Sequence, residues 1–84
     1  MTTITDRVKE EMWVEFKSNC QQQVARGYRL ITATYSLASA LALEFVRDQK
    51  SYWFPKSLIS TLVDPDEKVY YYAPTWLLKQ KGLL

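Results

Sequence analysis

The 84-residue chain has no histidine, one cysteine and only two glycines. Without histidine it lacks the commonest general base and the commonest neutral metal ligand. The lone thiol, Cys20, permits neither an intramolecular disulfide nor a thiolate metal cluster. It falls mid-helix among apolar residues with no imidazole to activate it, so it reads as a small core residue and not as a nucleophile. Gly27 and Gly82 are too few to build a phosphate-cradling loop. Asp64, Asp66 and Glu67 lack the spaced ligand series of a calcium loop and read as a solvated turn. These absences point away from an enzyme, and no cofactor or metal is expected. The longest apolar run, around Leu37–Leu43, is short and broken by serine, so no membrane span is expected. The polar start MTTITDRVKEE has no signal-peptide hydrophobic region, which makes the cytoplasm the expected compartment.

The composition, 48% hydrophobic and 24% charged, is that of a globular chain, and this length accommodates one domain, residues 1–84. Aromatic residues make up 14%; on so small a body they serve a core or a binding surface. The net charge of +2 does not announce a nucleic-acid binder. Residues 1–46 hold five basic and five acidic side chains, whereas everything after Glu67 is basic or neutral.

The pattern predicts an α+β fold. Thr5 or Thr3 can cap a helix over residues 5–26, in which Val8, Met12, Phe16, Cys20 and Val24 recur at four-residue steps. Asn19 and Gln23 interrupt that stripe, and Gly27 suits the residue past its end. RLITATY, within residues 28–36, is β-branched and reads as a strand. Residues 37–46 fit helical spacing and period-2 alternation alike. A strand over 40–47 is favoured because Arg47-Asp48-Gln49 looks like the turn of a hairpin whose second arm is 50–55. Pro55 ends that arm or lies at an edge, and residues 56–60 read as a turn or a short extension. Asp64-Pro65-Asp66-Glu67 is a turn, residues 68–73 the last strand, and 74–81 a short helix. Pro74 suits the first position of that helix and Gly82 its stop, with Leu78 and Leu83 placed to touch. Two helices covering one antiparallel sheet of three or four strands would form two layers.

Alternation along the strands sends Tyr52 and Phe54 to one side and Trp53 to the other. It likewise separates Val69 and Tyr71 from Tyr70 and Tyr72. In one reading the helices cover both faces, the second through Trp76 and Leu77, and the aromatics are core. In the other, Trp53, Tyr70 and Tyr72 stay exposed as a protein hot spot or as a stacking platform for unpaired bases. Lys56, Lys68, Lys79 and Lys81 would rim that face, or serve solubility alone. With Trp76, these residues are the candidates for partner binding.

Two segments carry a resemblance: Tyr52-Trp53-Phe54-Pro55-Lys56-Ser57-Leu58-Ile59, and Ala73-Pro74-Thr75-Trp76-Leu77-Leu78-Lys79-Gln80-Lys81-Gly82-Leu83. Together they resemble a group of small phage and mobile-element proteins. In that group a strand ends in Trp-x-Pro-Lys-Ser-Gln-Ile and a later strand leads into Pro-x-Trp-Leu and Lys-Gly-Leu. Leu58 stands here in place of the glutamine. The resemblance covers residues 41–84. It implies the hairpin and a phage or mobile-element origin, and it specifies no activity. The expected function is therefore non-catalytic binding to a host or phage protein, such as inhibition of a bacterial defence complex of the CRISPR kind. The alternatives are single-stranded nucleic-acid binding and self-assembly, for instance as a homodimer.

Overall fold

The structure, a computed structural model, describes residues 6–84. The expected cap at Thr3 or Thr5 lies outside the described residues. Helix α1 (Asp6–Ala25) stops where glycine predicts, with Gly27 in the left-handed region at φ +84°. Its buried face differs from the expected stripe. Phe16, Asn19 and Cys20 are half-buried and Gln23 is buried, whereas Val8, Met12 and Val24 are exposed. The reason is geometric. At 3.6 residues per turn, each four-residue step overshoots a full turn by roughly 40°, so a stripe of such steps winds off a single face.

The expected strands are present, and they divide into two antiparallel three-stranded sheets instead of forming one. The first sheet has the order β1 (Tyr28–Leu30), β6 (Val69–Pro74), β5 (Ser60–Val63); the second has β2 (Thr34–Ala38), β3 (Ala42–Arg47), β4 (Lys50–Pro55). The predicted strand over 28–36 is broken after Ile31, whose N–H still reaches the Tyr71 carbonyl at 2.8 Å before the chain crosses to the second sheet. Residues 37–46 are not helical. Ser39 turns the chain by donating its backbone N–H to the Ala42 carbonyl and accepting the Ala42 N–H on its hydroxyl. Asp48 and Gln49 both adopt positive φ in the two-residue turn between paired Arg47 and Lys50, the geometry that matches strand twist. After Pro55 a 3-10 turn (Lys56–Leu58) carries the chain back to the first sheet, where Ser60–Val63, read in part as a turn, becomes a strand paired with β6.

Successive residues of β6 show the layering. The Tyr70 ring lies 5.2 Å from Phe16 of α1, and the Tyr71 ring lies 5.2 Å from Phe45 of β3. The order is thus helix, sheet, sheet, three layers where two were expected. The core fills the space between the sheets around Phe45, Phe54 and Leu78, with Ile31, Ala73, Leu77 and Leu83. Helix α2 (Thr75–Gln80) closes it. Pro74 precedes this helix instead of opening it, because its ψ of 140° keeps it in the strand paired with Tyr28. Gly82 (φ +77°) donates to the Lys79 carbonyl at 3.1 Å, and Leu83 donates to that of Leu78 at 2.9 Å. This is the glycine-stop pattern, and it puts Leu78 and Leu83 into one buried cluster as expected.

Candidate binding surfaces

The structure separates the sequence-predicted site residues into three regions. Tyr70 and Tyr72 lie under α1. Tyr72 is buried, and burial with a hydrogen bond to the Cys20 side chain pushes its phenol up to about 12. Tyr70 donates its O–H to Asp64 Oδ2 at 2.9 Å, an interaction that, with burial, raises its own pKa. Neither ring offers a free face for stacking, which corrects the expectation of an exposed Trp53–Tyr70–Tyr72 platform. The physical cause is that α1 uses the aromatic face of β6 as its packing surface. Lys68 lies over the Tyr70 ring, 5.4 Å from its centroid, at the far end of this strand.

Asp64 is buried in the turn. Its Oδ1 accepts the backbone N–H groups of Asp66 at 2.8 Å and Lys68 at 3.0 Å, and Oδ2 takes the Tyr70 hydroxyl. Burial pushes its carboxyl up, but these donors outweigh that and hold it below its ordinary value. It works as an internal cap of the turn. Among the described residues no group of three or more Cys, Asp or Glu is placed to hold a metal ion.

Trp53 stands on the outer face of the second sheet. Cross-strand pairing puts Leu37, Glu44 and Trp53 in one row over β2, β3 and β4. Trp53 is 41% exposed, Leu37 48%, and Leu41 in the adjoining turn 81%. The helices pack elsewhere, α1 on β1 and β5 and α2 on β6 and β1. At the β4 edge, Leu41, Trp53, Pro55 and Leu77 line an apolar hollow of about 390 Å³ with one cation, Lys81. Lys56, exposed, follows Pro55 in the chain. Leu37 and Leu41 were not among the predicted site residues. The register shift between Tyr35 and Leu37 moves Leu37 onto the outer face, and simple alternation does not reveal such a bulge.

Trp76 and Lys79 form the third region. Trp76 does not cover a sheet face as expected; it is 59% exposed, while Leu77 beside it is buried. Both residues line a groove of about 590 Å³ together with Arg26, Tyr28 and Leu58.

Comparison of the chain with protein-family models, curated proteins and solved structures gives no match. No helix among the described residues is long and apolar enough to cross a membrane.

Proposed function

We propose that the protein is a non-catalytic binding module of phage or mobile-element origin that docks a protein partner on the outer face of its second sheet. Inhibition of a bacterial defence complex, such as a CRISPR effector, in the host cytoplasm is the concrete form of this reading. The observation that carries it is the row of Leu37 and Trp53 with exposed Leu41, uncovered by either helix. Aromatic and aliphatic anchors around a hollow are how protein hot spots are built. Lys81 in the hollow and Lys56 at its margin suit a partner that presents an apolar anchor flanked by carboxylates. The resemblance of residues 41–84 to phage proteins supports the same reading, as does the lack of histidine in the sequence.

The test is a plaque assay in bacteria carrying a panel of CRISPR effectors, with the wild type and Leu37→Ser and Trp53→Ser variants expressed to equal levels. Relief of interference by the wild type, lost in both variants, supports the proposal; co-elution of the purified pair at high salt would identify the apolar contact. No relief across the panel, or relief that both variants retain, rejects it. A wild-type dimer that both variants dissolve would instead assign the face to a second copy of the chain.

A further inference from the structure

The groove at the junction of the two helices differs chemically from the outer sheet face. Arg26 and Lys79 contribute two cations to it, and Tyr28 and Trp76 contribute two rings. Its residues come from three stretches, 16–43, 49–63 and 68–84, and none of these contains an acidic residue. Seven of the nine acids in the sequence, Asp6, Glu10, Glu11, Glu15, Asp64, Asp66 and Glu67, belong to the first half of α1 or to the turn before β6. The contact of Lys9 with Asp66 joins those two segments at the opposite end of α1. Among the described residues neither Arg26 nor Lys79 has a carboxylate partner. The Arg26 guanidinium lies 5.0 Å from the Tyr28 ring centroid, which leaves Trp76, 59% exposed, as the ring free to take a ligand.

The groove is also held rigid. The Gly27 carbonyl accepts both the backbone N–H and the hydroxyl of Thr75, which locks the segment carrying Arg26 and Tyr28 to the one carrying Trp76. A preformed surface of this kind loses little entropy on binding.

We propose that this groove binds a nucleotide unit of a single-stranded nucleic acid. Its base stacks on Trp76, and its phosphate sits between Arg26 and Lys79. Unpaired cations complement phosphate, and a flat exposed indole stacks only on a base outside a duplex. This site shares no residue with the outer sheet face, so the two proposals stand or fall separately.

The experiment is fluorescence polarisation of a labelled single-stranded oligonucleotide with the full chain and its Trp76→Ala, Arg26→Ala/Lys79→Ala and Trp53→Ser variants. Circular dichroism checks that each variant is folded. Neutralising this one phosphate of a single strand predicts a salt slope near −0.7, about a 2.6-fold loss of affinity between roughly 50 and 200 mM salt. Trp76→Ala should weaken binding by about 5- to 150-fold. The double variant should bind weakly with little salt dependence, and Trp53→Ser should bind as the wild type does. Absence of wild-type binding at low salt overturns the proposal. So does binding that Trp76→Ala leaves unchanged, and so does equal competition by the corresponding duplex or by an acidic peptide of the same charge.

Discussion

The Gly27 carbonyl accepts two hydrogen bonds from Thr75, one from its backbone N–H at 2.8 Å and one from its hydroxyl at 2.7 Å. The pair joins the end of α1 to the start of α2 across 48 positions of sequence. Thr75→Val keeps the side-chain shape and the backbone bond while removing the hydroxyl bond. The expected cost is about 1 kcal/mol, or a fall in Tm of about 4–8 °C for a domain of this size. A thermal melt checks it; an unchanged Tm would mean that the hydroxyl contributes nothing beyond what water supplies.

Gln23 is buried on the inner face of α1, with its Oε1 left without a hydrogen-bond partner. A buried unsatisfied acceptor costs about 1–3 kcal/mol, and an apolar side chain of similar length removes that cost. Gln23→Met should therefore raise stability by about 1 kcal/mol, read as a higher urea midpoint with an unchanged slope. A lower midpoint would show that the amide is satisfied in solution.

Gln23 also shows where sequence reasoning stopped. The end of α1 was legible because Gly27 needs its positive φ, and the α2 stop was legible because Gly82, Leu78 and Leu83 spell a local motif. The face that α1 buries was not, because it is set by contact with Tyr70 and Tyr72, far away in sequence, which draws Asn19 and Gln23 inward. The same holds for the division into two sheets. Leaving the first sheet after Ile31 and returning through Lys56–Leu58 are long-range choices, made where Phe45 and Tyr71 find each other. Of the candidate binding residues, Trp53 and Trp76 could be found as large aromatics two positions from a proline. Arg26 and Tyr28 carry a signal only as part of an acid-free stretch, and Leu37 is hidden by a bulge.

The β3–β4 turn holds two non-glycine residues in the left-handed region, Asp48 at φ 52° and Gln49 at φ 66°. Each such residue costs about 1–2 kcal/mol of backbone energy, and Asp-Gly is the favoured pair for this turn. Gln49→Gly should recover about 0.5–1 kcal/mol, since the gain is partly offset by the flexibility that glycine adds to the unfolded chain. Chemical denaturation measures it, and a loss of stability would mean that the Gln49 side chain makes a contact that outweighs the strain.

Asp64 ties stability to pH. Its folded-state carboxyl lies below its ordinary value of 3.8, because the donors from Lys68, Tyr70 and Asp66 outweigh burial. A depressed acid stabilises the folded state above its unfolded pKa, and the contribution is lost as pH falls through the folded value. The stability difference between wild type and Asp64→Asn should therefore be constant near neutrality and shrink below about pH 4. Paired melts across that range would show it. A difference that stays constant down to strong acid would mean that the loop depends on the shape of the side chain and not on its charge.

Trp53 and Phe54 are neighbours on β4 that point to opposite faces, and their substitutions should separate function from folding. Phe54 is fully buried, edge-on to Phe45 with ring centroids 5.5 Å apart. Phe54→Ala opens a cavity between the sheets and should cost about 3–5 kcal/mol, a large share of the roughly 5–15 kcal/mol that holds a domain together. Trp53, 41% exposed on the outer face, has less packing to lose, and its alanine variant should stay folded within about 1 kcal/mol of the wild type. If that face docks a partner, Trp53→Ala abolishes binding while the melt hardly moves, and a milder core change away from the hollow, such as Phe45→Leu, lowers the melt while binding persists below it. Equal losses of stability in the two variants would place Trp53 in the core and remove the outer face as a docking surface.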